Sequence, residues 1–187
     1  MATNSELTRG GSAAGWTRYL WAGAALLLLL PFIAMRFTAE VDWNAVDFAV
    51  MGTMLALACG AIELAVRASR NAGFRLASLL AVGASFLVIW SNLAVGIVGS
   101  EDNPANLLFF VALLMGLSGT IVARFDSVGM ARAMTVSGIA LLAALLIASA
   151  GPHDEPLALR WVEVLAASVF TAMFLLSAAL YAKAARD

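Results

Sequence analysis

Apolar residues along this chain arrive in six long blocks, each closed by a short cluster of charged, amide, Gly or Pro residues. The blocks fall at about 19–35, 46–66, 76–99, 107–123, 133–150 and 157–182. Each is near the roughly 20 residues that cross a hydrocarbon core of about 30 Å. In lipid every backbone polar group must be paired within its own segment, so each block predicts an α-helix rather than a strand. The connections at 67–73, 100–106, 124–129 and 151–156 hold the Gly and Pro that ordinarily punctuate helices. The predicted fold class is an all-α integral membrane protein, a bundle of six transmembrane helices.

Composition agrees with the pattern. Of 187 residues 63% are hydrophobic and only 12% charged, with mean hydropathy +0.93. Soluble domains carry about 25% charged residues, so water cannot be the solvent for most of this surface. No polar stretch is long enough for a soluble domain. The expected organisation is a polar, mobile cytoplasmic tail at 1–17, followed by one membrane domain at 18–187. The first block, behind Arg9 and Arg18, has the outline of a signal peptide. Its apolar run of 17 residues is longer than an ordinary signal core, and it does not close on a clear A-x-A cleavage site before Arg36, so an uncleaved first span is expected.

The charges orient the helices. With the N-terminus inside and six crossings, the inner face holds Arg9, Arg18, Arg67, Arg70, Arg75, Arg124, Arg132, Lys183 and Arg186, nine of the eleven basic residues. Only Arg36 and Arg160 fall outside, as the positive-inside rule requires. Most acids fall outside: Glu40, Asp42, Asp47, Glu101, Asp102, Asp154, Glu155 and Glu163. A five-span arrangement would strand a basic loop on the wrong face. The expectation is an N-in, C-in bundle.

Two inward-running blocks resemble each other. Aligned without gaps, Asp47 meets Glu163, Arg67 meets Lys183 and Arg70 meets Arg186, with Trp43 and Trp161 shortly before the acids. The pattern fits three helical hairpins from a duplicated two-helix unit. It equally fits any string of short-looped hairpins, whose acid-to-base polarity follows from orientation alone.

The most distinctive polar stretch runs from Trp90 to Asn106, on the outer side between the third and fourth blocks. Asn92 is expected about two turns inside the third span, where an unpaired amide is costly. Gly96 is expected one turn further along the same face. Asp47, Asn92, Glu101, Asp102, Asn103, Asn106 and Glu163 together form the candidate outer polar site. If the bundle gathers them, their carboxylate and amide oxygens suit a hard cation or a cationic solute. The alternative is that the acids cap helix N-termini and stabilise the dipole there, with Asn103 before Pro104 serving as a cap or turn. Glu63 and Arg67, four residues apart at the inner end of the second span, are expected to pair as an interface anchor rather than a proton relay.

The run NLAVGIVGSEDNPANL, with Val41-Asp-Trp43-Asn-Ala-Val-Asp47-Phe and Glu63-Leu-Ala upstream, resembles an uncharacterised family of small polytopic bacterial inner-membrane proteins. The resemblance covers roughly residues 35–130 and weakens over the last two spans. It implies a multi-helix inner-membrane architecture and supplies no catalytic residue.

Other chemistries lack their parts. Cys59 is the only cysteine and is read as a packing residue; no intramolecular disulfide or cysteine metal site can form. His153 is the only histidine, so paired haem ligands and a His/Cys zinc or copper cluster are missing. His153, Asp154 and Glu155 read as a solvated loop. Gly116-Leu-Ser118-Gly119 is similar to the G-x-S-G string of rhomboid intramembrane proteases. A serine nucleophile needs a base in reach, and His153 belongs to the opposite side of the membrane. No phosphate loop, dinucleotide fingerprint or nucleic-acid patch occurs. No cofactor and no metal are expected. Trp16, Trp21, Trp43, Trp90 and Trp161 suit an interfacial belt. The pairs Ala56/Gly60, Asn92/Gly96 and Ala112/Gly116 suit close helix contacts.

The expected partners are the bilayer, and through helix packing another membrane protein or a second copy. The function expected is a non-enzymatic accessory or structural membrane protein. The alternative is a small transporter or channel for a cation or small solute, against which stands the absence of a midspan charge or clearly broken helix. Pro31, the only proline inside a block, lies near the end of the first.

Overall fold

A computed structural model describes the backbone of residues 5–100, 102–150 and 157–187, and the side chains of 16–100, 102–150 and 160–187. Among the described residues the chain is all-helical: α1 (Ser5–Ala34), α2 (Ala45–Ala68), α3 (Ala72–Ala94), a single 3-10 turn (Pro104–Asn106), α4 (Leu107–Ala123), α5 (Ser127–Ser149) and α6 (Leu157–Ala184). Six of these helices are long and apolar enough to cross a bilayer. Helix α1 begins at Ser5, so its first turns run through the segment expected as a tail.

The chain divides into two compact units, residues 1–63 and 64–187. In the first, α1 and the leading part of α2 run antiparallel. Leu28 lies 3.7 Å from where a Cβ on Gly52 would sit, and the Cys59 thiol is 3.9 Å from the Leu20 carbonyl. Cys59 is buried there, in the packing role expected of it. Phe32 stacks edge-on against Phe48 at 6.4 Å, Trp43 against Phe48 at 5.2 Å, and the Arg36 guanidinium lies 5.6 Å from the Phe32 ring.

The second unit holds α3 to α6 and the principal core. Helix α5 packs against α4 and α6, and α6 packs against α3. The spatial order is therefore α4, α5, α6, α3. Consecutive α3 and α4 make little contact, so the hairpin expected of the third and fourth spans is not a packed pair. The core interleaves small residues such as Ala77, Ala84, Ala112, Ala144 and Ala167 with Phe74, Phe109, Leu141, Phe174 and Tyr181. This close packing and cross-helix hydrogen bonds hold the helices together. A Cβ on Gly116 would sit 2.6 Å from Ser137 Oγ, so only glycine lets α4 approach α5 there. Ser137 Oγ donates to the Ala112 carbonyl at 2.8 Å across the same contact. Of the three small-residue pairs, Ala112/Gly116 thus lies in a helix interface, whereas among the described residues nothing stands within 4 Å of a Cβ on Gly60.

Cross-helix bonds set the register of α3 on α6. Ser177 Oγ donates to the Ala77 carbonyl at 2.8 Å, Ser78 Oγ and Tyr181 Oη lie 2.7 Å apart, and the Phe74 and Tyr181 rings meet edge-on at 5.0 Å. The starts of α3 and α5 and the ends of α4 and α6 consequently share one end of the unit, with Arg75, Arg124, Arg132, Lys183 and Arg186. Arg75 caps the close of α2: its Nε donates to the Ser69 carbonyl at 2.8 Å and its Nη2 to the Val66 carbonyl at 3.0 Å.

Candidate functional site

The end opposite the basic one carries the polar stretch singled out by sequence, and the helix order explains its length. Helix α3 ends on the α6 side of the unit and α4 begins on the far side of α5. Residues 95–106 must therefore strap across the ends of α6 and α5. Helix α3 stops at Ala94 rather than near residue 99, because the strap takes a different backbone path. Gly96 has φ +76°, and a Cβ there would stand 2.5 Å from the Ser100 carbonyl oxygen and 2.8 Å from Asn106 Nδ2. The expectation that Gly96 continues the helical face of Asn92 is thereby corrected.

Asn106 fastens the strap. Its Oδ1 accepts from the backbone N–H groups of Ile97 and Val98, both at 3.0 Å. Its Nδ2 donates to the carbonyls of Val98 at 3.2 Å and Ser100 at 2.8 Å. A primary amide offers two donors and two acceptor lone pairs, so this side chain is saturated. It is buried at 4% exposure, as are Ile97 and Val98, which join the core. Glu163, half-buried on α6, accepts the Gly99 N–H with Oε1 at 2.7 Å. Asn103 Oδ1 accepts from Ala105 N at 3.0 Å and caps the 3-10 turn.

Asn92 is also buried at 4% exposure, and its Nδ2 donates to the Val88 carbonyl of its own helix at 2.8 Å. Its Oδ1 has no partner among the described residues; neither does the hydroxyl of Thr171, buried on α6. Asn92 lies two heptads beyond Ser78 on α3, and Glu163 two heptads before Ser177 on α6. The Ser78–Tyr181 and Ser177–Ala77 bonds thus set Asn92 and Glu163 at about the same level along the antiparallel pair.

Of the remaining expected residues, Asp102 is exposed and Glu101 lies outside the described residues, as do His153, Asp154 and Glu155. Asp47 belongs to the first unit and caps α2. Its Oδ2 accepts from Asn44 N at 2.8 Å, while Asn44 Oδ1 accepts from Val46 N at 2.7 Å, a reciprocal arrangement like a capping box. Glu63 and Arg67 stand four residues apart on α2, and neither lacks an interaction. Ser118, on an exposed face of α4, donates to the Leu114 carbonyl at 2.7 Å.

The structure thus brings Glu163 of α6 onto the strap that holds Asn103 and Asn106, and buries Asn92 near the end of α3. Sequence reasoning passed over Ser78, Ser177 and Tyr181, which bond across α3 and α6, and the capping role of Arg75. The signals for the first three were polar residues at core spacing; for Arg75, a cation beside a helix end. Among the described residues, no three His, Cys, Asp or Glu side chains gather as a metal site. Comparisons with protein-family models, curated proteins and solved structures find no match to this chain.

Proposed function

We propose that this chain is a non-enzymatic accessory or structural protein of a bacterial inner membrane, with both termini cytoplasmic, acting through helix packing with another membrane component. The observation that carries the reading is the saturation of Asn106, with Glu163 and Asn103 bonded to the same strap. Groups that would have to face a ligand instead bind the backbone of their own chain. The charge asymmetry supports the orientation. The test is mild-detergent extraction from native membranes after crosslinking in place. A discrete complex larger than the chain alone is expected; a chain that is only ever recovered free of other membrane proteins and of itself would overturn it.

A second reading, a small transporter or channel for a cation or small solute, is favoured by one feature. Asn92 Oδ1 is buried without a partner at the level of Glu163, and such an oxygen suits a cation or a solute N–H donor. Thermal stabilisation by cations or cationic solutes that vanishes in both Asn92→Leu and Glu163→Gln would favour this reading over the first.

A further inference from the structure

At the basic end of the second unit, the first turns of α5 and the last turns of α6 leave a groove with a cavity volume of about 510 Å³. Val128, Val136 and Ala182 line it together with Thr135, Arg132 and Arg186. In mid-membrane the same two helices close tightly, with Leu175 side-chain atoms 3.0–3.2 Å from where a Cβ on Gly138 would be. Towards the basic end, alanines on both helices leave space that nothing in the described chain fills.

Both guanidiniums are exposed, and neither makes a hydrogen bond or ion pair with any described residue. Thr135 Oγ1 spends its proton on the Ala131 carbonyl at 2.9 Å, so the arginines are the groove's charged donors. The nearby acids are Asp126 and Asp187. Asp126 caps α5 by accepting from Gly129 N at 2.8 Å, and Arg124 and Lys183 add further positive charge around it. The local balance is positive.

We propose that this groove binds an anionic phospholipid, its phosphate held by Arg132 and Arg186 and an acyl chain lying along the apolar wall. Guanidinium pairs match phosphate oxygens in geometry and charge. Basic pockets between transmembrane helices are known to take anionic headgroups. A zwitterionic lipid brings its own cation to the same place and gains less. A free phosphate leaves the apolar wall empty. The inference rests on residence in a membrane and not on the accessory role.

The test uses the full chain, delipidated in detergent, with lipid binding read by native mass spectrometry and by thermal shift. Phosphatidylglycerol, phosphatidylcholine and inorganic phosphate are compared. Phosphatidylglycerol is expected to bind at least tenfold more tightly than phosphatidylcholine, and inorganic phosphate to produce no shift. Arg132→Gln with Arg186→Gln should weaken phosphatidylglycerol binding at least tenfold. Ala182→Leu, which fills the groove without changing charge, should weaken it several-fold. Lys183→Gln, next to the groove but not lining it, should change it less than twofold. Equal binding of the two lipids overturns the proposal, and so does a shift with phosphate alone. A loss in Lys183→Gln as large as in the double variant overturns it as well, by reducing the effect to general surface charge. Should the double variant not fold, Ala182→Leu and Lys183→Gln on the otherwise unchanged chain still decide.

Discussion

The two ends of the four-helix unit treat their polar groups in opposite ways. At the strap end, Asn106 and Glu163 are turned onto backbone groups of the same chain, and Asn106 has no bonding capacity left. At the basic end, Arg75 is likewise spent on carbonyls at the close of α2, but the guanidiniums of Arg132 and Arg186 carry no bond to any described residue. The difference follows from connectivity. The α4–α5 turn joins neighbours, whereas the connection from α3 to α4 must cross two helices, and its buried backbone groups have to be paired. Polar residues near the end of a helix bundle therefore do not by themselves indicate a ligand site. What matters is whether the chain has already used them.

The largest effect should come from removing the fastener. Asn106→Ala leaves the N–H groups of Ile97 and Val98 without their acceptor at a buried place. An unsatisfied buried polar group costs about 1–3 kcal/mol, and partial rehydration limits the sum, so a loss of about 3 kcal/mol is expected. Asn103→Ala, which removes only a cap on the 3-10 turn, should cost about 1 kcal/mol. Unfolding in detergent, by heat or by denaturant, measures both. Equal losses would mean that the strap is not held as its bonds indicate.

Next in size is Gly96→Ala. The backbone at Gly96 is left-handed and its Cβ position is blocked by the Ser100 carbonyl at 2.5 Å. Strain of this kind costs about 1–3 kcal/mol unless the strap shifts. If it shifts, backbone amides 97 and 98 should lose protection from hydrogen exchange, a local readout that a global stability measurement misses. Unchanged stability together with unchanged exchange would refute the conformation at Gly96.

That glycine also shows how far hydropathy could be read. Helices α2 and α4 end within a few residues of their apolar blocks, because charged and turn-forming residues flank them. For α3 the apolar run continues through Val95, Ile97 and Val98, although the helix has ended at Ala94. Ile97 and Val98 are buried by the strap rather than by a helix, Val95 stays exposed, and hydropathy does not separate these cases. At α5 the helix starts at Ser127, earlier than the apolar run, with Asp126 as its cap. The order of helices in space left no mark in composition. Contacts between apolar helices are carried by Gly116, Ser137, Ser177 and similar small residues, which look alike on packed and exposed sides. The same holds for the polar stretch. Asn92 to Asn106 stood out by residue type, but which amide would be saturated and which left with a bare oxygen depended on the strap's path.

Glu163→Ala tests the strap from the α6 side, with a smaller expected loss of about 1 kcal/mol. One charge-assisted bond to Gly99 is removed, and the half-buried site lets water replace part of it. Glu163→Gln keeps an acceptor and should recover at least half of that loss. If Gln behaves like Ala, the negative charge itself matters at this place. The level position of Asn92 would then carry more of the explanation, and the cation reading would gain at the expense of the strap.

The smallest effect is the one that most directly opposes the two ends. In lipid-free detergent, Arg132→Gln and Arg186→Gln should each change stability by no more than about 0.5 kcal/mol, because an exposed side chain without partners contributes little to the folded state. Added phosphatidylglycerol should stabilise the unsubstituted chain more than either variant, since a ligand of the folded state raises stability with the logarithm of one plus its free concentration over its Kd. Asn106→Ala should show the reverse pattern, a loss that is present without lipid and unchanged by it. A large loss in Arg132→Gln without lipid would mean that the basic end is internally tied like the strap end, and the contrast between them would disappear.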